Sequence, residues 1–269
     1  MRNLVKSVGV LVYFLVAQVV GTIALVVYKI KTDSEWFNKV YDSITSNGVV
    51  SMEYLKLISE LIIPALILAD CLIVIPVLVN SYRTKNHIFR KLSPELAVKL
   101  FILGCALNTV VSLVVEVLPK SATTNKYSSL VSLVLVDNVF ISFLTNAVLA
   151  ALVEEIVFRK MLIGIYKTKS EKLAIVVSAL LFGLMHMNPI QSTYAFVLGL
   201  VLGDVYIKSE YNLLSTFIIH LTINGTSIIY EYLPSQLQVV FLVLGIISVF
   251  ITVLYITIKY RRRELVKVI

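Results

Sequence analysis

The sequence predicts an all-α, polytopic membrane helix bundle of about eight transmembrane helices with both termini cytoplasmic. Three observations lead there. Of the 269 residues, 58% are hydrophobic and only 15% charged, against about 45–50% and about 25% in a soluble domain. The apolar residues form long continuous runs, not the short alternating ones of a membrane barrel. Lys and Arg gather between those runs and at the two ends of the chain. With a mean hydropathy of +0.91, one soluble core cannot hide the apolar surface. At about 20 residues per crossing there is room for roughly eight. The formal charge of +8 therefore reads as topology control, not nucleic-acid binding. Cys71 and Cys105 both fall in apolar runs and imply no disulfide framework.

The first run, Val8 to Tyr28, is longer than a signal-peptide core and follows Arg2 and Lys6, so it reads as a retained helix. Residues 29–54 are polar and mixed in charge, and read as the longest extramembrane loop. A second helix spans about Leu55 to Asn80. Pro64 and Pro76 predict kinks there, and Asp70 predicts one buried polar contact. A third spans about Glu95 to Leu118, and a polar loop follows over 119–127. Residues 128–168 are too long for one span. They divide into a short apolar segment, 128–136, and a long helix from about Asn138 to Lys167. Three crossings then fit 172–188, 190–207 and 211–231, with Asn188-Pro189 as the tight turn between the first two. The last crossing, about 235–259, precedes a basic tail containing Arg261, Arg262 and Arg263, an anchor for an anionic lipid surface.

With eight crossings, the N-terminus, loop 81–94, loop 167–172, Lys208 and the tail share one side. These are the basic connections, so the positive-inside rule makes that side cytoplasmic. The chain reads as one transmembrane domain, 1–269, without a soluble domain or a repeat.

Ionisable groups at mid-membrane cost roughly 2.5–3.5 kcal/mol on insertion scales, so each one present needs a role. Glu154, Glu155 and Arg159 stand on the long helix. Glu155 and Arg159 are four apart and share a face. Glu154 points about 100° away and is free for another task. Phe182 stands one turn before His186, and His220 one turn before Asn224. A lone membrane histidine is ordinarily a helix–helix hydrogen bond, and a charged helix end ordinarily snorkels. Depth argues against both here. At about 1.5 Å per residue, Glu154 lies roughly 19 Å from Lys167, His186 roughly 21 Å from Lys172, and His220 roughly 14 Å from Tyr211. Three helices thus deliver polar groups to a similar level inside the bilayer. Phe182 is a candidate lining residue, although lipid-facing phenylalanines are commoner. Gly164 and Gly199 are candidate packing positions.

A carboxylate and an imidazole around one water can act as general base and then general acid. A second imidazole and an amide can stabilise an oxyanion. The three motifs, Glu154-Glu155-x-x-x-Arg159, Phe182-x-x-x-His186 and His220-x-x-x-Asn224, resemble those of the CAAX-processing and bacteriocin-processing (CPBP, or Abi) intramembrane endopeptidases. The resemblance covers about residues 138–231. It implies that Glu154 activates water with His186, that His220 and Asn224 form the oxyanion site, and that Glu155 and Arg159 support them. It also implies a peptide or protein C-terminal tail in or at the membrane as substrate. No cofactor is favoured. Zinc held by Glu154, His186 and His220 is the alternative, though HExxH is absent and three helices would have to supply the ligands.

Other chemistries fit less well. No GxSG motif supports serine chemistry. Gly203-Asp204 is half of a GxGD motif, but position 201 is Val. Asp204 close to Lys208 reads as an interfacial cap, and Asp70 as a helix–helix contact. Gly199 and Gly203 form GxxxG, which favours close packing. A transporter would show related halves. A non-catalytic scaffold or immunity-type binding protein of the same fold is the alternative from another class. Low Gly and high Lys point to a bacterial plasma membrane.

Overall fold

The computed structural model describes residues 2–45, 52–85, 87–117 and 138–268. The loop expected over 119–127 and the short segment expected over 128–136 lie outside the described residues. Nine helices carry the described chain: α1 Arg2–Thr32, α2 Ser34–Thr45, α3 Met52–Arg83, α4 Pro94–Glu116, α5 Val139–Tyr166, α6 Glu171–Met185, α7 Pro189–Lys208, α8 Leu213–Tyr232 and α9 Ser235–Val268. There is no strand among the described residues. Seven of these helices are long and apolar enough to cross a membrane. The eighth expected crossing is α6, which is helical for only 15 residues. The chain is an integral, multi-pass membrane protein.

The residues before each helix explain where it starts. Ser93, Asn138, Ser170, Asn188 and Asn212 each cap a helix by accepting backbone N–H groups, the orphan donors of a first turn. Pro94 and Pro189 follow two of these caps, where a missing N–H costs nothing. The Asn188-Pro189 turn is where the sequence puts it, and Met187 takes a left-handed φ of 53° to make it.

One expectation needs correction. The segment 29–54 is not all loop: α1 runs on to Thr32 and α2 follows after Asp33. Tyr41 is exposed on α2 while Trp36 is buried at 6%, the one-sided pattern of an amphipathic helix. Asp33 starts it. Its Oδ1 accepts the Trp36 N–H at 2.9 Å and its Oδ2 pairs with Lys29 Nζ at 3.1 Å. The Trp36 amide and then the Lys29 ammonium hold the Asp33 carboxyl below the usual carboxylate range. A depressed folded value stabilises above the unfolded value of about 3.9 and is lost as pH falls through the folded one. Trp36 is the only tryptophan, so its emission reports the joint. A red shift is expected on acidification below about pH 3.9, and Asp33→Asn, which keeps the cap, is expected to abolish that pH dependence.

The bundle packs through small residues. α6 lies against α7, with Gly199 facing the Ala179 backbone and Gly203 facing Ile175. A Cβ at Gly199 would stand 2.9 Å from Ala179 Cα, so the GxxxG face does hold two helices together. Gly164 is different: a Cβ there would meet nothing within 4 Å, and the packing role expected of it is not realised. α4 lies between α8 and α9, and α1 against α3. α1 and α9 present rows of exposed Val, Ile, Leu and Phe, such as Val12, Val16, Val19, Ile23, Val243 and Phe250. In a membrane protein such faces meet lipid. The buried core sits where α5, α6, α7 and α8 meet.

Candidate active site

α5 is an interrupted α-helix. Its α-helical stretches Val139–Phe143, Ala150–Glu154 and Gly164–Tyr166 alternate with π-helical ones, Leu144–Leu149 and Glu155–Ile163. π turns are rare and gather at functional sites. Here they bracket Glu154 and carry Glu155 and Arg159.

The two glutamates have different surroundings. Glu155 and Arg159 are both 0% exposed, with Arg159 Nε 3.1 Å from Glu155 Oε2. The approach angle falls short of a hydrogen bond, so that contact is an ion pair without one. Arg159 also donates from Nη1 to Ser178 Oγ at 3.3 Å, and Ser178 donates to Phe158 O at 2.7 Å. Its guanidinium lies over the Phe182 ring, 4.9 Å from the centroid. Arg159 is thus wedged between α5 and α6. Glu154 is the accessible member, with 25% of its side chain exposed.

His220, buried on α8, ties the two carboxylates together. Its Nδ1 is 2.8 Å from Glu155 Oε1 and its Nε2 is 3.3 Å from Glu154 Oε2. A carboxylate only accepts, so the Nδ1 proton points to Glu155 and Nε2 faces Glu154. His186 caps the C-terminus of α6. Its Nδ1 donates to Phe182 O at 2.8 Å, which leaves Nε2 as the ring atom open to a reaction partner. Phe182 is 3% exposed and packs edge-on against both imidazoles, at 5.0 Å from His186 and 5.7 Å from His220. Of its two expected settings it takes the buried one. Asn224 donates from Nδ2 to the Asn146 carbonyl at 3.2 Å, and its second amide proton is left over.

The polar groups of α5 and α8 therefore meet directly, and Phe182 stands between them and His186 of α6. Among the described residues, however, no three His, Cys, Asp or Glu side chains gather as a metal site.

Residues 136–226 match a family model described as Type II CAAX prenyl endopeptidase Rce1-like. That segment is similar to the family. It holds every residue of the three motifs and coincides closely with the 138–231 segment that carried the resemblance. No curated protein and no solved structure matches the chain. At a coarse level the Rce1-like match supports a CAAX-type intramembrane protease acting on a peptide at the membrane.

Sequence reasoning missed two participants in this Rce1-like segment. Ser178 anchors Arg159, and Asn146 offers a backbone carbonyl to Asn224. Serine is ordinary in membrane helices, and a main-chain acceptor leaves no mark in a sequence. The two aspartates behave as expected. Asp70 is buried in the bundle, and Asp204 pairs with Lys208 at 2.6 Å.

Proposed function

We propose that the chain is a metal-independent intramembrane endopeptidase in which Glu154 is the general base. The observation that carries this is the division between the glutamates. Glu155 is sealed and neutralised by Arg159, while Glu154 is partly exposed and held by His220 Nε2. Glu154 takes a proton from a water whose oxygen bonds to the scissile carbonyl carbon. The second amide proton of Asn224 faces the oxygen that becomes negative. The proton then passes to the leaving nitrogen as the C–N bond breaks, through Glu154 or His186 Nε2. His220 orients Glu154, because both of its ring nitrogens already face carboxylates. That differs from the oxyanion role implied by resemblance. The substrate is a membrane-associated peptide or a protein C-terminal tail, and the composition favours a bacterial plasma membrane as its setting.

The test is peptide cleavage by detergent-purified protein, comparing wild type with His186→Ala and His220→Ala, with and without a chelator. Loss in both variants together with chelator resistance is expected. Loss with chelator and recovery with zinc would instead move these side chains into a metal site. Full activity in both variants would remove the two histidines from the chemistry, and no cleavage of any peptide by wild type would return the chain to the scaffold reading.

A further inference from the structure

A second polar site lies at the other end of α5. A cavity of about 300 Å³ is lined by the end of α5, the 87–90 segment after α3, and the turn between α7 and α8. All three belong to connections that the Lys and Arg distribution assigns to the cytoplasmic side. Its charges are strongly unbalanced. Arg90, Lys160 and Lys167 face it against the single carboxylate of Glu210. Glu210 is already taken by Arg90, which pairs with it at 3.2 Å and also donates to the Ser209 and Glu210 carbonyls. Lys167 lies over the Tyr211 ring, 4.2 Å from the centroid, a contact that leaves its charge uncompensated. The Tyr211 hydroxyl is turned away to Glu171 Oε1, at 2.7 Å. Lys160 is half-buried and has no hydrogen bond or ion pair among the described residues.

The walls are held in place. Glu210 and Tyr211 both adopt left-handed φ angles, 55° and 64°, which non-glycine residues keep only where their surroundings impose them. Arg90 supplies part of that hold, and its own backbone is locked by Asn212, which accepts from Arg90 N and donates to Arg90 O, each at 3.0 Å. The inner wall is Tyr206, 3% exposed, whose hydroxyl has no partner among the described residues. Gly164 stands between Lys160 and Lys167 in sequence, and the missing side chain keeps the cavity open.

Two uncompensated ammonium groups and an unpaired phenol around one preformed space make a receptor for a compact anion carrying several acceptor oxygens. We infer that this cavity binds a phosphate group, with Lys160 and Lys167 supplying charge and Tyr206 a hydrogen bond. Two sources share that chemistry: the headgroup of an anionic phospholipid and free phosphate. Basic pockets between membrane helices commonly take the first. The site is independent of the peptidase reading.

Binding is measured on the full chain in detergent, as dissociation constants for inorganic phosphate, dihexanoyl phosphatidic acid and dihexanoyl phosphatidylcholine. Two variants accompany wild type, each first checked for a monodisperse gel-filtration peak. Lys160→Met removes a charge, and Gly164→Leu fills the cavity without touching one. Tight binding of phosphatidic acid, weakened about tenfold in both variants, is expected. If phosphate alone binds as tightly, the site is a free-anion site; if only phosphatidic acid binds, it is a lipid site. The inference is overturned if neither probe binds wild type, if phosphatidylcholine binds as tightly as phosphatidic acid, or if either variant binds within about twofold of wild type.

Discussion

Glu154→Gln is expected to lower peptide turnover by about 10²–10⁴-fold, the range that a positioned general base contributes. Glutamine keeps the length and shape of the side chain and its place beside His220 Nε2, but it cannot take a proton from water. The loss should fall on kcat, since the partly exposed Glu154 side chain is not a packing residue. Little change in thermal stability is expected for the same reason. Turnover by a folded Glu154→Gln protein at the wild-type rate would remove Glu154 from the chemistry.

The largest stability effect is expected one residue further on. Arg159→Met leaves the Glu155 carboxylate at 0% exposure with His220 as its remaining partner. Breaking a buried ion pair from one side costs about 3–5 kcal/mol, because the surviving charge stays desolvated. Arg159 also fills the space beside Phe182 and anchors Ser178, so part of the loss is packing. Replacing both partners with apolar residues removes the stranded charge, and the double variant Glu155→Leu/Arg159→Met is expected to recover much of the stability. Thermal melting in detergent distinguishes the cases. A single Arg159→Met variant melting with wild type would show that the pair contributes nothing.

The helices were legible because a membrane imposes a simple rule on sequence: each crossing needs an apolar run, and polar breaks with Ser, Asn or Pro mark its ends. The Glu155–Arg159 pair was legible for a similar reason, since four-residue spacing fixes a shared face. His220 was harder. Its ring reaches both glutamates, and the choice of partner depends on how α8 rotates against α5, which no single-helix argument supplies. The π-helical turns of α5 were invisible, because apolar periodicity does not distinguish a slightly wider turn. Helix α2 was lost among polar residues, where composition suggested a loop and only the one-sided burial of Trp36 reveals the amphipathic face.

The brevity of α6 carries a consequence for the lipid around it. Fifteen helical residues reach about 22 Å, against a hydrocarbon layer of about 30 Å. A short wall is accommodated by thinning of the adjacent leaflet, at fractions of a kcal/mol per Å of hydrophobic mismatch. His186 ends this helix, so the dimple in the bilayer falls beside the candidate site. Such thinning is expected to bring headgroups and water nearer Glu154. Cleavage measured in nanodiscs should then be faster with shorter acyl chains; no dependence on chain length would mean that water arrives by another route. On this account the bilayer itself is a working part of the peptidase, its thickness setting how easily the substrate and the water meet.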